Sequence, residues 1–234
     1  MSVGNDALQA ILRSRGAVMT RRAGISVPAN FGSAAGELAA CLVGVGIADR
    51  RDLGKLWLTG PRSSLHALAH RHAGVELAPG GVAATREAWW CAEEADRLLV
   101  LVAADLRARL QDALRHEVRP RGVTVLDVSE TLTCVAIVGR RMSHLLAALG
   151  IVPVNGDLRS VAPYSAGELA GNRVSLLLES DHRALLITQA AQADEVWQAV
   201  EAAGRPLGLS LIGIDALERF AMVEKLHLRR QVGK

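Results

Sequence analysis

Aromatic side chains are scarce in this chain: four Trp, two Phe and one Tyr in 234 residues. No stretch alternates them with basic residues, which argues against a stacking surface for nucleic acid. Cysteine is nearly absent. Cys41, Cys91 and Cys134 stand singly, so there is neither a disulfide framework nor a zinc-ligand spacing, and a reducing compartment suits the chain. Charge of one sign is also lacking: 27 basic against 24 acidic residues leave +3. The basic residues fall in short clusters at Arg50-Arg51, Arg140-Arg141 and Arg229-Arg230. The longest apolar runs, such as "LLVLVAA" from Leu98 to Ala104, are far too short to span a bilayer. The opening "MSVGNDALQAILRSRG" has no apolar core of a signal peptide. The expectation is a cytoplasmic protein with neither nucleic acid nor membrane as partner.

Half of the residues are hydrophobic, enough for one large domain or two of about 100 residues. An internal repeat favours two similar halves. "LWLTGPRSSLHALA" (Leu56 to Ala69) and "VAIVGRRMSHLLAAL" (Val135 to Leu149) each give a strand, a glycine turn and a leucine-spaced helix. Asp49 precedes Gly60 by eleven residues, and Asp127 precedes Gly139 by twelve. "LLVLVAADLRARLQDAL" (Leu98 to Leu114) pairs in the same way with "ALLITQAAQADEVWQAV" (Ala184 to Val200). The order strand–helix–strand–helix therefore occurs twice, and such self-similarity outranks local propensity. An α+β fold of two split βαβ half-domains packed together is expected, with a cleft between them suited to a small molecule. Residues 1–120 hold two N-terminal helices and the first half; residues 121–234 hold the second half and a closing helix at "ALERFAMVEKLHLRR". The linker "RHEVRPRG" carries the breakers between them.

Four pieces of the chain, taken in order, resemble the aminomethyltransferase (T-protein) of the glycine cleavage system and the related sarcosine oxidase gamma subunit. In "VPANFGSAAGELAACLVGVGIADRRDLGKLWLTGP", the residues Pro28, Phe31, Gly32, Ser33, Glu37, Gly46, Asp49, Gly54, Lys55, Thr59, Gly60 and Pro61 fall on the family pattern that ends "FDLSHMGK-x-x-VTGP". "LDVSETLTCVAIVGRRMSHLL", "DEVWQAVEAAGRPLGL" and "IDALERFAMVEK" match later pieces. The resemblance implies the family's folate-binding fold without its C-terminal barrel, and tetrahydrofolate as cofactor in one-carbon (aminomethyl or methyl) transfer. The chain is shorter than an aminomethyltransferase, closer to the gamma subunit. That size implies an alternative role as a non-catalytic subunit beside larger oxidase or demethylase chains. A fold repurposed for another planar substrate is the third reading.

Such a site needs a carboxylate to accept two parallel hydrogen bonds from a pterin, a second one near the one-carbon unit, and an apolar or aromatic wall. Counted back from Trp197 without gaps, the family's "RTGYTGE-x-G" puts its glutamate on Asp181, its tyrosine on Leu178 and its arginine on Ser175. The resemblance thus implies Asp181 as pterin anchor and catalytic acid. The family's catalytic "Asn-Asp-Val" falls on Ala73-Gly74-Val75, which leaves Glu76 as the nearest acid and the second catalytic candidate. Leu53 stands for the methionine of "SHMG". A second folate tyrosine falls near Ala84, and the closing helix's arginine falls on Ile214.

Other groups are read against blander roles. His66 and His70 lie one helical turn apart with His72 beyond, but no H-E-x-x-H pattern occurs, so a solvated helix end is expected and no metal. Trp89 and Trp90 on a strand face opposite ways. One is core, and Trp89 is the candidate wall for a planar ligand. His182, in "SDHR", is either a turn residue or a folate contact beside Asp181. The cysteines in the strands are expected to be inert core thiols.

Overall fold

The computed structural model describes residues 3–118 and 122–232. Two antiparallel-rich sheets lie face to face and helices cover both outer faces. One sheet has five strands in the order β5 (Val82–Ala84), β6 (Ala88–Glu94), β7 (Arg97–Val102), β4 (Gly54–Thr59), β8 (Thr124–Asp127). The other has six: β10 (Tyr164–Leu169), β11 (Asn172–Ser180), β12 (Arg183–Gln189), β9 (Leu132–Val138), β3 (Val45–Asp49), β13 (Leu209–Leu211). A hairpin of β1 (Val18–Arg22) and β2 (Ile25–Asn30) stands apart.

Alternation along each strand builds three cores. On β9, Cys134, Ala136 and Val138 face the other sheet and meet Cys91, Leu99 and Leu101. Val135 and Ile137 face outward under α1 (Val3–Ser14), α5 (Met142–Ala148) and α6 (Ala193–Gly204), whose Trp197 is fully buried. The five-stranded sheet is covered in the same way by α3 (Arg62–Ala73) and α4 (Arg107–Val118). With both faces covered, the central strands read as unbroken apolar runs. All three cysteines are buried. Burial, with a push from Glu37, raises the Cys41 thiol to about 12, and burial raises Cys134 to about 11.

The repeat is present, with more in it than the sequence pattern shows. Each half runs strand, strand, helix, three strands, helix, so the strand–helix–strand–helix reading misses the hairpins β5–β6 and β10–β11. β5 (VAA) and β10 (YSAGEL) are rich in Ala, Gly and Ser, which carry little strand signal. The first strand of each half joins the sheet of the other: β3 pairs with β9, and β8 pairs with β4. The sheets therefore do not separate at residue 120, although the repeat does. Of the linker, Arg115–Val118 close α4, and residues 119–121 lie outside the described residues.

The acidic turn marks each crossing. Asp49 ends β3 and its Oδ1 accepts from the Arg51 N–H at 3.0 Å. Asp127 ends β8 and its Oδ1 accepts from the Ser129 N–H at 3.0 Å. Lys55, fully buried at the start of β4, donates its Nζ to the carbonyls of Arg51 (3.2 Å) and Ser129 (3.3 Å). Burial lowers its pKa.

A glutamate ties the N- and C-terminal segments together. On α2 (Ala34–Val43), Glu37 accepts from the N–H of Phe31 (2.6 Å) and from that of Gly213 (2.8 Å). Gly213 precedes α7 (Ile214–Val232) and packs so close that a Cβ there would lie 2.0 Å from the Ala29 carbonyl oxygen. Glu37→Ala leaves both N–H groups without this acceptor and should cost about 1–3 kcal/mol, measured as a lower urea midpoint at unchanged m-value.

Candidate functional site

Each half carries one β-bulge at the end of its central hairpin. Pairing shifts between Ala92 and Glu94 on β6, and between Leu178 and Ser180 on β11. The extra residues are Glu93 and Glu179. A bulge re-aims the side chain it carries. An arginine four residues on opens the next strand in both cases, Arg97 and Arg183.

Around Glu179 the two sheets bring together residues far apart in the chain. Burial raises its carboxyl pKa, while Arg183 and Arg50 pull it down; the Trp89 indole of the opposite sheet also hydrogen-bonds it. Arg183 Nε lies 3.9 Å from Glu179 and 2.9 Å from Glu224 of α7. Ser180 Oγ donates to Glu224 at 2.5 Å. Arg50 is held by both oxygens of Asp52, at 2.8 and 3.3 Å. Leu53 and Trp89 pack against the inter-sheet core beside this group. The arrangement offers three carboxylates (Glu179, Glu224 and Asp52), two guanidinium groups and an indole wall.

No protein-family model matches the chain. The aminomethyltransferase of Streptomyces avermitilis is 27% identical to it over 231 residues, covering 90% of this chain and 60% of that protein. The aminomethyltransferase T of the glycine cleavage system from Bartonella henselae superposes with a TM-score of 0.73 at 12% identity, over 92% of this chain and 60% of that one. A chain of the heterotetrameric sarcosine oxidase from Corynebacterium sp. U-96, solved with pyrrole 2-carboxylate, gives 0.62 at 19% identity, over 82% of this chain and 97% of that one. The chain resembles the aminomethyltransferase and sarcosine oxidase gamma family, and it has that family's folate-binding-domain fold. It spans about 60% of the length of the aminomethyltransferases it matches, and no barrel domain lies among the described residues.

With this fold in place, the expected site residues separate. Leu53 and Trp89 belong to one cluster. Asp181 does not: it is exposed in the turn between β11 and β12. The ungapped count back from Trp197 ends in that turn, two residues short of the bulged Glu179. Seating the arginine of "RTGYTGE-x-G" on Arg173 instead of Ser175 puts the motif's glutamate on Glu179. Leu178 faces the helix-covered core on the other side of the sheet, as does Leu176, onto which the motif's tyrosine now moves. His182 is a turn residue, exposed, its N–H donating to Ser180 Oγ at 3.2 Å. Glu76 is exposed beside Leu77, which joins the outer core of the five-stranded sheet; it is on the wrong face to act with Trp89. Gly74 caps α3 with φ of 74°, a left-handed turn that explains glycine there.

The histidines serve α3. His66 lies 3.4 Å from Arg62 Nε, and His72 stacks on Trp90 and meets Glu117 at 2.7 Å. Among the described residues no group of three or more His, Cys, Asp or Glu is placed to hold a metal ion, and no helix is long and apolar enough to cross a membrane. Sequence reasoning missed Glu179, Arg183, Arg50 and Glu224. A signal for the first two was present: Glu-x-x-x-Arg occurs in "EEADR" and again in "ESDHR" at the same place in each half.

Proposed function

We propose that the chain binds tetrahydrofolate between its two sheets and serves one-carbon transfer. The observation that carries this is Glu179: a largely buried carboxylate on the inter-sheet face, hydrogen-bonded by Trp89, on which the family motif's glutamate falls when its arginine is seated on Arg173. Ionised, it accepts two parallel hydrogen bonds from adjacent pterin N–H groups. Trp89 and Leu53 flank the ring as apolar walls. Glu224, rather than Glu76, is the second acid near the reacting nitrogens. Arg183 and Arg50 favour the ionised form of Glu179 against the burial that opposes it.

Titration calorimetry of the chain with tetrahydrofolate tests it. Saturable micromolar binding that Asp181→Ala leaves unchanged is expected. Absence of heat up to millimolar ligand overturns it.

A specific observation also supports assembly with a larger subunit. Met222 and Leu226 stand one turn apart on α7, 63% and 58% exposed, and the sarcosine oxidase chain matched over 97% of its length is part of a heterotetramer.

A further inference from the structure

The second bulged glutamate lies at the other end of the inter-sheet layer. On β11, Arg173, Ser175, Leu177 and Glu179 alternate onto one face, so Arg173 and Glu179 stand about 20 Å apart at ~3.3 Å per residue. At the Arg173 end is a cavity of about 140 Å³, walled by Trp57, Glu93, Arg97, Leu132, Arg173 and Ile187. We propose that this cavity is a second binding site, which takes a small carboxylate with a short apolar body.

The polar groups of the wall divide into committed and uncommitted ones. Glu93 Oε1 accepts from the Tyr164 hydroxyl at 2.6 Å, and its Oε2 pairs with Arg97 Nε at 2.8 Å. Arg97 also reaches Glu94 at 2.6 Å and lies 5.4 Å over the Trp57 ring. These side chains hold one another and form a fixed wall. Arg173 is different. It opposes Glu168 in the β10–β11 ladder, yet no ion pair to it occurs among the described residues. Glu93 and Glu94 are both taken by Arg97, so neither is left for Arg173. An unpaired arginine beside apolar walls favours a bidentate carboxylate. Trp57 adds a buried indole N–H with no acceptor among the described residues, the kind of donor that is costly to leave unmet. Leu132 and Ile187 supply the surface for an apolar body.

Size narrows the ligand. The volume equals four or five water molecules at about 30 Å³ each, well below the roughly 300 Å³ at which drug-sized sites begin. A folate does not fit, whereas a three- or four-carbon acid does. The arginines that follow the bulges both have carboxylates from the chain, Arg183 from Glu224 and Arg97 from Glu93 and Glu94; Arg173 is the one left for a carboxylate from solution.

The test uses the full ¹⁵N-labelled chain and the indole N–H signal of Trp57, assigned through Trp57→Phe. Sodium propionate is the probe and propionamide its neutral match. Propionate should shift the Trp57 signal saturably while propionamide does not. Arg173→Gln, a change at an exposed residue, should weaken binding about tenfold or more, the scale of a lost charged hydrogen bond. A non-saturable shift, an equal effect of propionamide, or unchanged binding in Arg173→Gln overturns the proposal.

Discussion

Asp49→Ala should destabilise the fold by about 3–5 kcal/mol, while Asp127→Ala, the same change at the matching turn of the other half, should cost about 1 kcal/mol. Both aspartates end an exchanged strand and accept the N–H two residues on, at 3.0 Å. The surroundings differ. Asp49 is 1% exposed and its second oxygen holds Arg51 Nε at 2.6 Å, with the arginine buried too. Burial raises the Asp49 pKa in spite of Arg51, so the ion is there at a desolvation cost. Removing it leaves a buried guanidinium without this carboxylate, which is the expensive way to break a buried pair. Asp127 is in a wetter place: it accepts from Ser129 Oγ at 2.6 Å and meets a partly exposed Arg107 at 3.3 Å. At this chain length the larger loss lowers Tm by roughly 10 °C. Thermal melts of the two variants check it, and equal losses would show that burial is not what distinguishes the crossings.

That turn was legible in the sequence; its use was not. Asp49 and Asp127 at matched distances before Gly60 and Gly139 showed that a unit is repeated. Nothing in either stretch says that the strand before the acid belongs to the other half's sheet, because pairing across halves is set by packing of both faces and leaves no local pattern. The helices at Leu65 and Leu145, and the pairing of Leu98–Leu114 with Ala184–Val200, rest on periodicity and hold. The register of the motif was harder to read. A bulge adds one residue without changing the apolar alternation around it, so an ungapped count back from Trp197 stops at Asp181 in the turn, short of the bulged Glu179. Trp89 and Leu53 pack against the inter-sheet core. Glu224 and Arg50 come from segments that meet only in three dimensions.

Glu179→Gln should separate binding from stability. Replacing the ionised acceptor removes a charge-assisted hydrogen bond to the pterin, so tetrahydrofolate affinity falls about tenfold or more. The fold itself loses little. Arg183 keeps Glu224 at 2.9 Å and Arg50 keeps Asp52 at 2.8 Å, so neither guanidinium is stranded, and Gln still accepts from Trp89. The pH dependence moves in a fixed direction. Burial raises the folded-state pKa of Glu179 above its ordinary value, so the folded chain holds a proton that the unfolded chain releases. The stability tied to that proton is fully present below the unfolded value near ~4.3 and is lost as pH rises through the raised folded value. Asp49 is shifted the same way and its share remains in the variant. Melts recorded from pH 4 to pH 8 should therefore decline less steeply for Glu179→Gln than for the unaltered chain, with an equal or higher Tm at pH 7. A steep fall in Tm with unchanged folate affinity would make Glu179 a structural ion in the inter-sheet layer and would remove it from the ligand site.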